Sequence, residues 1–397
     1  MENMYSSNGM QPQQPEKKSN GGKIALIIIA SVLGTLLLMG VIIYALRVSV
    51  LKRIDKAKEF ITENAGSVID NESLDALKKT DAGFNMTPSS DNSYSLAADR
   101  IKKIDILWIS GSVSIQPYDG DAITFSESSA RSIDDNNCLI YKAEGDKLEI
   151  RFCHSRRFAE IDFKSFDIND LTASLPSKEL IINVPEALCQ SGELELFAAS
   201  VSSAASITGV TADEVKLYSV SGDIVLENVT ARDEIQAVSV SADISVVSCS
   251  ADELKAVSVS GDIVLENVTA RDEIQAVSVS ADISVVSCSA DELKADSVSG
   301  SISAAGCFNE ADADSISGDV SISTENEPKS IDIDSVSGDV KLSVTKEAGF
   351  KVDVDTVSGQ VITSPGMAQQ GSVYTCGDGP AEYEVQTVSG SISIEIK

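Results

Sequence analysis

SVSGDIVLENVTARDEIQAV occupies residues 219–238 and recurs letter for letter at 258–277. The copy runs further, because Ser219 to Ala256 matches Ser258 to Ala295 at all 38 positions, a shift of 39 residues. Aligned on its Ser-Val-Ser-Gly words, the chain gives starts at 200, 219, 239, 258, 278, 297, 315, 335, 356 and 387, spaced by 18 to 21 residues except for a last step of 31. A period near twenty holding two strand-like runs describes a unit that cannot bury its own face and must stack on its neighbours. The 39-residue copy is then two coils, added without disturbing any column.

The columns support that reading. Counting from the first Ser as zero, position +1 is Val or Ile in every coil, from Val201 to Val388, and position +5 is Ile or Val in the nine coils from 219 onward. Both columns are expected to face inward, with position zero continuing the inward set as an internal serine row. IDIDS (331–335) and VDVDT (352–356) alternate with the period of a strand, placing Ile331, Ile333, Val352 and Val354 inside. The glycines at 222, 261, 300, 318, 338, 359 and 390 mark a corner that favours a residue tolerant of positive φ, and Ala242 and Ala281 break that rule. Position +10 places Cys249, Cys288 and Cys307 in one column with Val210, Val229 and Val268, as buried apolar thiols. Short coils predict a flattened, mostly two-sheet all-β parallel solenoid of about 19–20 residues per coil, extending irregularly through 101–199 and regularly through 200–397. Trp108 is expected to cap the irregular end.

Composition narrows the partners. Aromatics are 5% of the chain and net charge is −30, with 33 acidic against 10 basic residues from Ser200 to Lys397. Such a surface repels phosphate, which argues against nucleic acid as a partner. Seven cysteines without a CxxC pair and a single histidine, His154, support neither structural zinc nor a dense disulfide framework.

Residues 24–46, IALIIIASVLGTLLLMGVIIYAL, carry no charge. A helix of that length, roughly 35 Å, spans a bilayer, so the lipid bilayer is the expected partner of this single-pass segment. A polar disordered tail (1–23) precedes it, and an amphipathic helical stalk and linker (47–100) follows. Arg47, Lys52, Arg53, Lys56 and Lys58 after the span outnumber Lys17, Lys18 and Lys23 before it, which favours a cytoplasmic C-terminal side. Long domains cross regardless of local charge, and the acidic β region resembles exported surface domains. The expected location is therefore the cell membrane with the C-terminal region outside.

The S/T-V-S-G-D/S/Q-I/V words behind one N-terminal anchor resemble the bacterial adhesin-type domain of unknown function found in cell-envelope proteins, over roughly 101–397. The resemblance implies a cell-envelope β-solenoid and carries over no catalytic residue and no cofactor. The expected function is a non-enzymatic surface rod, an adhesin or envelope structural protein with a surface protein or polysaccharide as ligand. An envelope-sensing regulator is the alternative. A cation-binding rod is the lower one, for which the column Asp223, Asp243, Asp262, Asp282, Asp319 and Asp339 supplies the candidate metal ligands. Against it stands turn chemistry, in which each Asp accepts a local backbone N–H, and the interruption of the column by Ser301 and Ser391.

Overall fold

The computed structural model describes residues 81–86, 92–158, 175–345 and 349–397. The expected tail, the span at 24–46 and the helical part of the stalk lie outside the described residues, among which no helix is long and apolar enough to cross a membrane. Within the stretch read as linker, Ser93–Ala97 is a strand, paired antiparallel with Ala122–Ser128.

Each Ser-Val-Ser-Gly word joins two parallel ladders. In the first, the strands ending on the words stack in register, Val215 on Ile235, Ile235 on Leu254, Leu254 on Ile274. In the second, Ile224, Ile244, Ile263, Ile283, Ile302, Val320 and Val340 stack one above another, each no more than 1% exposed. A short third ladder adds Thr211–Ala212 and Thr230–Ala231. The expected solenoid is therefore present, as a roll filled by aliphatic side chains.

The corner differs from its expectation in two respects. Position zero faces inward, with Ser219, Ser239 and Ser258 fully buried, but the +1 residues Val220, Val240, Val259 and Val279 are only half-buried and Val357 is 78% exposed. Alternation explains this, because a residue next to an inward serine must turn outward. Nor do the corner glycines have positive φ. Close approach favours glycine at 261, where a Cβ would stand 1.9 Å from the Ala242 carbonyl oxygen of the coil below, while Ala242 and Ala281 hold the equivalent corner in alternate coils. Positive φ falls instead at the next bend, on Asn228, Ser248, Asn267 and Ser287.

Both ends of the rod depart from chain order. The strand Ile392–Ile396 lies between Val340–Val344 and Val361–Thr363, so the coil at 387 is inserted beneath the coil at 356. At the other end Lys103–Tyr118 lies between Glu195–Thr208 and an outer layer made of Lys147–Arg151 and Lys178–Pro185. Trp108 is thus in the second layer, fully buried and packed edge-on against Phe152 at 4.9 Å. Antiparallel strands close each end, Ala122–Ser128 and Ile140–Glu144 below, Val373–Gly377 and Ala368–Gln370 above.

Candidate functional site: the outer face of the first ladder

The proposed metal ligands form a stitched column. Asp243 N–H donates to Asp223 Oδ1 at 3.3 Å, Asp262 N–H to Asp243 Oδ1 at 2.9 Å, and Asp282 N–H to Asp262 Oδ1 at 3.1 Å. Ser301 N–H donates to Asp282 Oδ1 at 2.8 Å, Asp339 N–H to Asp319 Oδ1 at 2.9 Å, and Ser391 N–H to Asp339 Oδ1 at 2.8 Å. Each carboxylate therefore accepts a backbone N–H from the next coil, where sequence reasoning placed the donor within its own turn. The longer contacts, at 3.3 and 3.1 Å, are those whose donors follow the alanine corners at 242 and 281. No group of three or more His, Cys, Asp or Glu among the described residues is arranged to hold a metal ion.

The rest of the word is likewise occupied in stitching. The serine at zero accepts the N–H at +3, as in Gly261 N–H to Ser258 Oγ at 2.8 Å. The serine at +2 donates to the +1 carbonyl of the coil below, as in Ser260 Oγ to Val240 O at 3.1 Å. His154 is buried, with Nδ1 3.5 Å from Asp81 Oδ2. It lies in the cap, outside the coils that carry the Asp column, so the singled-out residues do not converge on one centre.

The outward side of the first ladder carries a more distinctive arrangement. Lys216 contacts Glu214 and Glu234, Lys255 bridges Glu234 at 2.9 Å and Glu253 at 2.8 Å, and Lys294 bridges Glu273 at 2.7 Å and Glu292 at 2.8 Å. Burial works to lower Lys255, but hydrogen bonds to Glu253 and Glu234 and their charges carry it up to about 12. Beside this ionic ladder Val238, Val257 and Val277 form a small buried cluster of their own, with the partly buried Tyr218 and Val220 packed against it. Phe197 is 37% exposed and packs on Tyr218, ring centroids 5.5 Å apart, and the Tyr218 hydroxyl donates to Gln236 Oε1 at 2.7 Å. A groove here is bordered by the Lys103–Glu195 pair at 2.6 Å and the Lys147–Asp105 pair. Phe197 escaped the sequence reading although its signal was present: in ELELFAAS (193–200) Leu194, Leu196 and Ala198 take the inward positions, which leaves an aromatic ring outward.

Beyond Lys294 the same face changes character. Its outward positions become Asp312, Asp314, Asp332, Asp334, Asp353 and Glu384, and Asp314 and Asp334 are 6% and 4% exposed. The lysine column ends there, so the rod presents a charge-compensated half and an acidic half.

No functionally curated protein matches the chain. Three solved structures align over most of it. One from Clostridium sporogenes, called a "putative cell adhesion protein", is 11% identical over 77% of this chain and 99% of its own, TM-score 0.17. One from Parabacteroides distasonis, called a "putative lipid binding protein", is 16% identical over 78% and 98%, TM-score 0.35. One from Bacteroides fragilis, called a "putative adhesin", is 11% identical over 78% and 99%, TM-score 0.28. Similarity at this level bears on neither ligand nor activity. The family assignment rests instead on a profile that matches residues 101–395, the whole of the stacked region, and by that match the chain belongs to the Toastrack DUF4097 family.

Proposed function

We propose that the chain is a non-enzymatic, single-pass surface rod of the bacterial cell envelope that holds an adhesive face away from the membrane. The observation that carries this reading is the face itself. Its N-terminal half presents a partly exposed aromatic pair, Phe197 and Tyr218, beside a groove bordered by compensated ion pairs, on a backbone in which the corner serines and aspartates are committed to stacking. A flat lattice of alternating donors and acceptors with an aromatic ring suits a surface protein or polysaccharide better than a small substrate, which needs a concave pocket. Anchoring rests on the uncharged 24–46 segment, and exposure outside the cell on the acidic, phosphate-repelling surface.

Protease shaving of intact cells tests the orientation. Release of fragments from 101–397 before lysis is the expected result, and full protection until lysis would overturn the exported rod. Phe197→Ala together with Tyr218→Ala, two partly exposed positions, should reduce attachment of cells displaying the chain to purified envelope polysaccharide or host-type glycoprotein without lowering the melting temperature by more than a few degrees.

A further inference from the structure

The cap at the N-terminal end of the stacked region gathers an amine, a carboxylate and a carboxamide inside an aromatic shell. Lys178 is fully buried; its Nζ lies 2.6 Å from Glu127 Oε2 and donates to the backbone oxygen of Asn137 at 2.7 Å and to that of Phe152. The Phe152 and Trp108 ring centroids stand 4.0 and 4.8 Å away. Glu127 is equally buried and accepts the Leu139 N–H on Oε1 at 2.8 Å. Asn137 is 9% exposed; its Nδ2 donates to Asp134 Oδ2 at 2.9 Å, while its Oδ1 is buried with no hydrogen-bond partner. A buried amide oxygen without a donor is costly and calls for a reason. Nζ already touches the backbone oxygen of Asn137, so the amine stands beside this residue, and attack on Cγ requires the side chain to give up its bond to Asp134 and turn toward Nζ.

We propose that Lys178 and Asn137 are joined by an intramolecular isopeptide bond, with Glu127 as the proton-transfer group. Glu127 takes a proton from the Lys178 ammonium, and the neutral amine adds to Asn137 Cγ. The Nζ–Cγ bond forms, the Cγ–Nδ2 bond breaks, and nitrogen leaves as ammonia, carrying a second proton from Nζ. The proton first taken by Glu127 remains there, so no unpaired carboxylate is left behind, and Glu127 can then donate to the amide oxygen that now lacks a partner. No oxidant or cofactor is required. Burial favours the neutral amine, since it holds Lys178 below its ordinary range. The neighbouring thiols are poor competitors, because burial pushes Cys153 up to about 12 and also raises Cys138.

Peptide mapping of the denatured full-length chain decides the matter. The expected result is a branched peptide containing Lys178 and Asn137, lighter than its two components by one ammonia beyond the ordinary cleavage balance, with no tryptic cleavage after Lys178. Asn137→Asp should retain the link with loss of one water instead, and Asn137→Ala should restore cleavage after Lys178. Recovery from the wild-type chain of a peptide ending at Lys178 together with unmodified Asn137 would overturn the proposal. So would a bond from Lys178 to Glu127.

Discussion

Ser258 is polar and yet wholly buried, and its oxygen is consumed by the Gly261 N–H at 2.8 Å. A corner in a stacked chain leaves backbone donors inside the roll, and a short hydroxyl is the smallest group that reaches them. Ile263, five residues on, has no such licence. Replacing it with Asp sets a carboxylate among Ile244, Ile283 and the opposing aliphatic row, at an expected cost of about 4 kcal/mol or more, whereas Lys341→Asp, at an outward position half exposed, should cost less than about 1 kcal/mol. Chemical denaturation of the two variants checks this, and equal losses would contradict the column assignment. At this scale the sequence was legible wherever a rule of alternation applied: the +5 aliphatics other than the half-buried Val361 of the last layer, the strand residues before each word and the inward serines are where the pattern puts them. The +1 column follows parity rather than hydrophobicity in most coils, and only Val201 and Ile316 of it are buried. The glycines were identified correctly but for another reason, since the distance between coils, which excludes Cβ at 261, is not written in any single coil.

Elements respond to single-residue differences in coil length. The coils starting at 219 and 258 have twenty residues and carry an extra Arg232 or Arg271, which pairs with Asp213 or Asp252 of the nineteen-residue coil before it. The coil starting at 297 has eighteen, and it lacks the left-handed residue that precedes Cys249 and Cys288. Its strand Ile302–Ser315 runs straight through the bend, Cys288 pairs with Gly306, and Cys307 turns outward while Phe308 fills the core. A slip of one residue reverses every side chain that follows it, and so Cys307 is exposed where the +10 column predicted burial. In the native rod an alkylating reagent should therefore label Cys307 and spare Cys249 and Cys288, both 2% exposed, until the chain is denatured; Cys249→Val should be nearly neutral. The lysine ladder makes a second prediction. Lys255 is raised from its ordinary 10.5 to about 12 on folding, so its contribution is intact below about pH 10.5 and is lost as pH rises toward 12. Melting temperature followed through that window should fall less in Lys255→Gln than in the wild type. The difference should shrink in high salt, as partly exposed pairs require.

For the whole molecule, the two-coil copy is a unit of length. The alternations of glycine with alanine corners, of Val with Cys, and of Lys with Gln at positions 216, 236, 255 and 275 all close over 39 residues. Deleting 258–296 joins Val257 to Ser297 in register and should give a cooperatively folding rod about 10 Å shorter, at 4.8 Å per layer, by small-angle scattering. A collapse of cooperativity would show that the copies are not interchangeable. The exchange of layers at the ends was not legible. TVSGQVITS (356–364) and TVSGSISIE (387–395) are nearly equivalent as ladder partners, so nothing within either says which of them lies against Val340. The groove at Phe197 was hidden for a related reason, since its walls come from four strands distant in the chain. Those ends also settle a question of growth. Identical coils that accept one another inside a chain would accept one another between chains, and a bare parallel edge would template fibre extension. The antiparallel strands laid across Gly349–Asp353 at one end and across Lys178–Pro185 at the other present the wrong direction and register to an incoming coil, and the one ladder end they do not cover, Val361–Thr363, is only three residues long. The repeat can thus lengthen by duplication and still terminate as a discrete particle.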